Sequence, residues 1–181
     1  ENDEIRPMFF MIDLTSRCNM SCKYCLRNIQ NRSDEESITY EMISKICEYI
    51  ASYCNEIGDD RITIQPWGGE PLLEKDKIFF IKKELKRYGI NPAITIETNG
   101  LLLSDDLIKE LKENEVSISI SIDGNEQVHD SQRVFANGIG THYLVKEKIQ
   151  NFQEKTGENV STISTITRNS IEHIEEIVSY L

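Results

Sequence analysis

Three cysteines crowd into one short stretch, Cys18-x-x-x-Cys22-x-x-Cys25, and their type and spacing promise chemistry before any other feature of the chain does. A structural zinc site takes four protein ligands, commonly as two paired clusters, and neither a second pair nor a nearby histidine accompanies this loop. Ferredoxin-type clusters also use four thiolates, so three would leave one iron of a 4Fe-4S cluster without a protein ligand, open to a substrate or cofactor. The bland alternative, three unrelated loop thiols, is weak because exposed thiols in so polar a segment would oxidise readily. Cys47 and Cys54 read differently. They fall on the apolar stripe of a helical pattern, where free cysteine acts as a small hydrophobe. An odd total of five, so distributed, suits metal or redox chemistry better than a disulfide framework or a secreted chain.

Further candidates follow downstream: Trp67-Gly68-Gly69-Glu70-Pro71, Thr98-Asn99-Gly100, Ser121-Ile122-Asp123-Gly124, and His129-Asp130 with Arg133. Paired glycines let backbone approach a ligand closely, and a carboxylate such as Glu70 facing an ammonium makes a charge-assisted hydrogen bond. Glycine pairs, Asn-Gly and Asp-Gly also serve as ordinary turn formers. His129, isolated in a loop, reads as a hydrogen-bonded structural group before an acid or ligand. Gly138-x-Gly140-Thr141 lacks the following Lys and the full glycine pattern of a phosphate loop, so it reads as a loop-to-helix transition with Thr141 as N-cap. The polar run Asn28 to Ser37 reads as solvated loop.

The elements that must position these residues alternate strand and helix five times, which predicts an α/β fold with a parallel sheet. Candidate strands are Met8 to Leu14, Arg61 to Pro66, Pro92 to Thr98, Val116 to Ile122 and Val160 to Thr167, rich in Ile, Val, Thr or Phe. The first helix, about Thr39 to Ile57, carries Ile43, Ile46, Cys47, Ile50, Cys54 and Ile57 on one face. The second buries Ile78, Ile81, Leu85 and Tyr88 before Gly89. The third opens at Ser104 as N-cap, with Asp105 and Asp106 in its first turn. The fourth presents Val145, Ile149 and Phe152 and ends before Gly157. The fifth starts near Ser170 and presents Ile171, Ile174, Ile177, Val178 and Leu181. Strict alternation in the strands puts isoleucines on one face, and Thr63, Gln65, Thr95, Glu97, Ser117, Ser119 and Ser121 on the other. Parallel sheets are rarely solvated on one face, so the polar face is expected to line the wet interior of an open or partial barrel. The four motifs then fall at the carboxyl ends of the first four strands, where ligands gather in such folds.

These residues resemble the radical S-adenosylmethionine (SAM) enzymes, whose signature is a C-x-x-x-C-x-aromatic-C loop after the first strand; Tyr24 supplies the aromatic residue. The resemblance spans nearly the whole chain and implies a (β/α)6-type barrel, of which about five βα units are present. It implies that Cys18, Cys22 and Cys25 hold a 4Fe-4S cluster whose open iron chelates the amino and carboxyl groups of SAM. The reduced cluster then cleaves SAM into methionine and a 5'-deoxyadenosyl radical that abstracts hydrogen from the substrate. Gly68, Gly69 and Glu70 match the GGEP motif, in which backbone and carboxylate bind the methionyl ammonium. Ser121 and Asp123 match the S-x-D-G of ribose and carboxylate contacts. Glu97 and Asn99 share the third strand's interior face and join the candidate SAM contacts. His129-Asp130 and Arg133 match an H-D-x-x-R segment of the peptide- and protein-modifying branch, with Arg133 offered to the SAM carboxylate, a task suited to its planar fork.

The combined motifs look like the enzymes with a C-terminal SPASM or twitch domain, among them thioether- and carbon-carbon-forming peptide maturases and anaerobic sulfatase-maturing enzymes. The resemblance thus implies a peptide or protein substrate and an electron donor such as flavodoxin or ferredoxin. Residues 1–181 are expected to be a radical SAM core domain from a longer polypeptide, without the sixth βα unit and the auxiliary cluster domain, so the acid or base acting on substrate is expected elsewhere. A small-molecule radical enzyme of the molybdenum-cofactor-cyclase type shares the cysteine loop and GGEP and stays open. A non-enzymatic iron-sulfur electron-transfer module is the third reading, against which three cysteines argue. A formal charge of -11, from 31 acidic against 20 basic residues, argues against nucleic acid as a partner. No apolar run approaches the ~20 residues of a membrane helix, and the first residues lack signal-peptide character, so a cytoplasmic protein is expected.

Overall fold

The computed structural model describes residues 6–29 and 36–181. Five strands, β1 (Phe9–Thr15), β2 (Thr63–Gly68), β3 (Ala93–Thr98), β4 (Val116–Ser121) and β5 (Ser161–Ile163), form one sheet in the order β1-β2-β3-β4-β5. All four pairings are parallel. Crossovers between parallel strands are right-handed, so a sheet wound in sequence order places every crossover on the same face. This is a partial α/β barrel, with helices outside and an inner face opposite them.

The helices are α1 (Leu26–Ile29), α2 (Tyr40–Ile57), α3 (Lys75–Arg87), α4 (Asp105–Glu113), α5 (Glu126–Gln132), α6 (His142–Thr156) and α7 (Ile174–Tyr180), with 3-10 turns at Pro71–Glu74 and Ile171–His173. The N-cap expected at Ser104 holds, its side chain accepting from Leu107 N, and Thr39, expected as the start of the first helix, caps it by accepting from Met42 N. Register sorts the strand faces. Ile94, Ile96 and Thr98 lie opposite Val116, Ile118 and Ile120 on the outer face, while Thr95 and Glu97 lie opposite Ser117 and Ser119 on the inner one. The outer face is buried with Ile43, Cys47, Ile50, Ile78, Ile81, Leu85, Ile108 and Leu111 of the helices in one core. Each fully buried aliphatic side chain there contributes about 1.5–3 kcal/mol, and this burial fixes which face looks inward.

Four expectations need correction. Strand β2 runs through Gly68 rather than stopping at Pro66, because Trp67 and Gly68 pair with Asp13 and Thr15. Strand β5 is only three residues long, because Thr165 leaves the ladder: its N–H goes to Asp123 Oδ1 and its carbonyl to Gln132 Nε2. Tyr88 is exposed at the end of α3, and Ile90 is buried instead. Of the apolar residues in the last helical pattern only Ile177 is buried, against Gly124, while Ile171, Ile174, Val178 and Leu181 are exposed. Helix α5 has no counterpart in the periodicity, because only Val128 of its seven residues supplies an apolar buried position. Most of the polar run Asn28 to Ser37 lies outside the described residues. Among those described, no helix is long and apolar enough to cross a membrane.

Candidate functional site

The four motifs meet at the carboxyl end of the sheet, and the cysteine loop is laced to its neighbours on two sides. On one side Gly69 N donates to Thr15 O and Glu70 N to Arg17 O, both at 2.8 Å. Only glycine allows this approach. A Cβ on Gly68, whose φ is +149°, would lie 2.4 Å from Thr15 O, and one on Gly69 would lie 2.1 Å from Arg17 O. On the other side Ser21 N donates to Val134 O and Lys23 N to Gln132 O, again at 2.8 Å, and Lys23 Nζ reaches Ser131 O at 2.6 Å. Met20 is buried beneath the loop. The glycine pair thus has a structural use that the sequence reading did not assign it, namely carrying the motif backbone onto the cysteine loop.

Cys18 is exposed, Cys22 and Cys25 are half-buried, and none is in a disulfide. Desolvation pushes the Cys18 thiol up to about 11, with the nearby Glu70 charge adding to it and a Met20 backbone hydrogen bond opposing it. Burial raises Cys22 as well, opposed by Arg133. Among the described residues no three Cys, His, Asp or Glu side chains converge on one point for a single ion. A 4Fe-4S cluster takes one thiolate per iron and so spreads its ligands; a pinned loop of three unbridged thiols fits that donor set.

Glu70 is buried, which raises its pKa against three hydrogen bonds that lower it. Oε1 accepts from Leu72 N (3.0 Å) and Thr98 Oγ1 (2.7 Å), and Oε2 from Asn99 N (2.9 Å). By lone-pair count Oε2 keeps one acceptor position for a further donor. Asn99 continues the lacing: its Nδ2 donates to Asn19 Oδ1 at 2.7 Å, and its Oδ1 accepts from Leu101 N.

Asp123, fully buried, is the hub of the opposite wall. Its Oδ2 accepts from Tyr24 OH (2.9 Å), Gln132 Nε2 (3.0 Å) and Arg133 Nε (2.9 Å), and its Oδ1 from Thr165 N (2.9 Å). The Arg133 guanidinium also lies over the Tyr24 ring at 5.5 Å. Burial works against the Arg133 charge, but Asp123, Tyr24 and Cys22 together raise its pKa. Tyr24, Asp123 and Arg133 are therefore brought together, with Asp123 committed to protein donors. Thr141 does occupy the N-cap position of α6, but its side chain makes no capping bond; its hydroxyl donates to Arg133 O, and Asp130 Oδ1 takes His142 N instead. Sequence reading missed Asn19, Thr98, Gln132, Thr141 and Thr165 as members of this frame. All are polar residues with no motif spacing of their own; Asn19, Thr98 and Gln132 stand beside flagged residues, whereas nothing local pointed Thr141 or Thr165 to this frame.

The inner face supplies the remaining surface. Ser121 is half-buried at the end of β4, and Glu97 is half-buried on β3. Among the described residues the side chains of Gln65, Thr95, Glu97, Ser119 and Ser121 make no hydrogen bond within the protein, so this wall presents unspent donors and acceptors. At its first-strand side Arg27 donates to Asp13 Oδ2 (2.6 Å) and stacks on Trp67, 4.8 Å from the ring centroid. A cavity of about 270 Å³ borders Lys23, Tyr24 and Gln132.

A laced three-thiol loop, a buried carboxylate with an acceptor to spare and a fixed guanidinium around one sheet end define a cluster-and-cofactor protein. The family model of the radical SAM superfamily matches residues 12–181, and the chain belongs to that superfamily of enzymes, which use a 4Fe-4S cluster and SAM. The chain is 30% identical over 173 residues to the cysteine-type anaerobic sulfatase-maturating enzyme of Clostridium novyi (strain NT), covering 92% of this chain and 45% of the relative. It is 35% identical over 121 residues to the GTP 3',8-cyclase of Peptoclostridium acidaminophilum, covering 65% of this chain and 35% of the relative. Among solved structures, native anSMEcpe with bound AdoMet matches with a TM-score of 0.81 at 21% identity, covering 96% of this chain and 48% of that one. The chain thus spans less than half the length of these relatives.

Proposed function

We propose that this chain is the SAM-activating core of an enzyme that abstracts hydrogen from a peptide or protein substrate in a post-translational maturation. The observation that carries the reading is the cysteine loop hydrogen-bonded on one side to the Gly68-Gly69-Glu70 turn and on the other to the segment bearing Arg133. That lacing holds cluster ligands and candidate SAM contacts in one frame, as preorganised positioning of a cofactor requires. When bound, the cluster supplies one electron that breaks the sulfur–C5' bond of SAM, giving methionine and the 5'-deoxyadenosyl radical.

The residues of this chain do the holding. Cys18, Cys22 and Cys25 ligate three irons. Glu70 Oε2 and the Gly68-Gly69 backbone receive the methionyl ammonium, and Arg133 offers the guanidinium edge not used by Asp123 to the SAM carboxylate. Ser121 and Asn99 contact the ribose side. Tyr24 and Asp123 fix Arg133. The similarity to sulfatase-maturating enzymes over 92% of the chain favours a peptide substrate, and the cyclase similarity, over 65%, keeps a small-molecule substrate as the second reading. An electron donor such as flavodoxin or ferredoxin and a cytoplasmic setting that keeps free thiols reduced complete the proposal. The substrate's acid or base and any auxiliary cluster belong to chain outside residues 1–181.

Anaerobic reconstitution of the full-length polypeptide, followed by reduction with SAM, tests this. The expected result is 5'-deoxyadenosine, and loss of two hydrogens from cysteine- or serine-containing peptides in the mass spectrum. A cluster-loaded protein that leaves SAM intact would overturn the enzyme reading. Turnover of nucleotides but no peptide would select the second.

A further inference from the structure

His129 is fully buried, and it is bonded on both ring nitrogens to the frame around Arg133. The hydrogens along this path can be placed by donor and acceptor logic. Asp123 N is an amide and can only donate, so His129 Nδ1, 3.2 Å away, must carry a lone pair. The Arg133 carbonyl can only accept, so Thr141 Oγ1, 3.1 Å away, gives it its one hydrogen. Thr141 Oγ1 must then accept from His129 Nε2 at 3.0 Å, which fixes the tautomer with hydrogen on Nε2. One ring thus ties the backbone of Asp123 to the carbonyl of Arg133, the two ends of the ion pair at 2.9 Å.

We propose that His129 is a positioning residue of the SAM site: its ring, through Asp123 N and the Thr141 hydroxyl, holds the Asp123–Arg133 pair in the orientation that receives the SAM carboxylate. This rests on the functional reading above and adds a residue to it. The geometry also explains why a histidine stands here. A residue bridging the two groups must accept at one end and donate at the other across a flat ring, and neutral imidazole does both at fixed separation. A doubly protonated ring would turn Nδ1–H against Asp123 N–H. Burial and the Arg133 charge hold the pKa down to about 3, in keeping with a ring that stays neutral and does not act as an acid or base in turnover. His142 packs edge-on against it at 5.5 Å, which closes the ring's remaining side.

The test uses the full-length, anaerobically reconstituted protein. SAM affinity is measured by equilibrium binding and by the SAM-induced change in the electron paramagnetic resonance spectrum of the reduced cluster, with iron content and thermal unfolding followed in parallel. Thr141→Val keeps shape and removes the relay hydroxyl. It should weaken SAM binding about tenfold with iron content unchanged, the size expected when buried polar partners are left unpaired. Thr141→Ser should bind like the wild type. His129→Asn retains an acceptor near Nδ1 but cannot reach Thr141, and it should match Thr141→Val, with the double variant no worse than either single one. Wild-type SAM affinity in both folded variants would overturn the inference, as would losses that merely track iron content or unfolding. A wild-type protein that loads iron yet shows no SAM-dependent change would overturn the parent reading, and this inference with it.

Discussion

Cys47 and Cys54 lie on the buried stripe of α2, whereas Cys18, Cys22 and Cys25 sit in a loop at the end of β1, and thiol acidity alone does not separate the two groups. Desolvation of the thiolate pushes Cys47 up to about 12 and Cys18 up to about 11. The difference lies in what faces the sulfur. In α2 the Cys47 sulfur lies in the apolar core with the Glu84 carboxylate near it, a setting that only disfavours a thiolate. In the loop the setting is a backbone held by hydrogen bonds from two neighbouring segments, with the Arg133 guanidinium near enough to favour the Cys22 thiolate. A cysteine's role in this protein is therefore decided by the rigidity and charge of its surroundings.

Exchanging residues between these contexts should break the comparison most severely at the loop. Alanine at Cys18, Cys22 or Cys25 is expected to abolish assembly of this cluster, read as loss of about four irons per chain in the full-length protein. Retention of iron by a loop variant would make the two regions equivalent. Next in size is Asp123→Ala, which leaves Arg133 buried without its partner and also removes the acceptor of Tyr24, Gln132 and Thr165. A loss of about 3–5 kcal/mol in denaturant unfolding is expected, and Asp123→Asn should cost less.

Acid sharpens the contrast, because the frame behind the loop contains a histidine that refuses a proton. Below its ordinary value of 6.5 an unfolded chain protonates His129 while the native ring, held down to about 3, does not. Its contribution to stability is therefore intact above about pH 6.5 and lost progressively as pH falls toward 3. Arg133, Asp130 and His142 face the ring: Arg133 and His142 hold its pKa down, and the Asp130 charge opposes them. Unfolding midpoints measured across that range should fall with acidity, and fall less steeply in His129→Asn. The smallest effect belongs to the helix: Cys47→Ala deletes one buried sulfur and should cost about 1 kcal/mol, with iron loading unchanged. Loss of iron from that variant would move Cys47 into the functional group.

Much of the fold was legible because its signals are local. Alternation in Ile94 to Thr98 and Val116 to Ser121 fixed the strand faces, and Ser104 marked its helix start as the N-cap it proves to be. The failures have a common cause, since they occur where long-range polar contacts override local pattern. Strand β5 was read too long because Thr165 is drawn out of the ladder by Asp123, 42 residues away in sequence. Thr141 looks like a capping residue, and its hydroxyl is instead spent on Arg133 O. Helix α5 is held by Asn125, whose side chain accepts from Val128 N, and by the bonds of His129 and Gln132, with too few apolar residues for periodicity to show.

The sequence by itself determined the residue types on which the chemistry turns: three cysteines at 18, 22 and 25 and a glycine-glycine-glutamate turn are written in type and spacing, and no packing is needed to see them. Only the tertiary structure decided how those parts are held. It turned Gly68 and Gly69 into a contact with the cysteine loop, made Asp123 the hub that joins Tyr24, Gln132 and Arg133, and tied Arg133 through Thr141 to His129. The physical reason is that a buried polar group must find partners wherever the fold brings them, and those partners stand at sequence distances that no local spacing encodes.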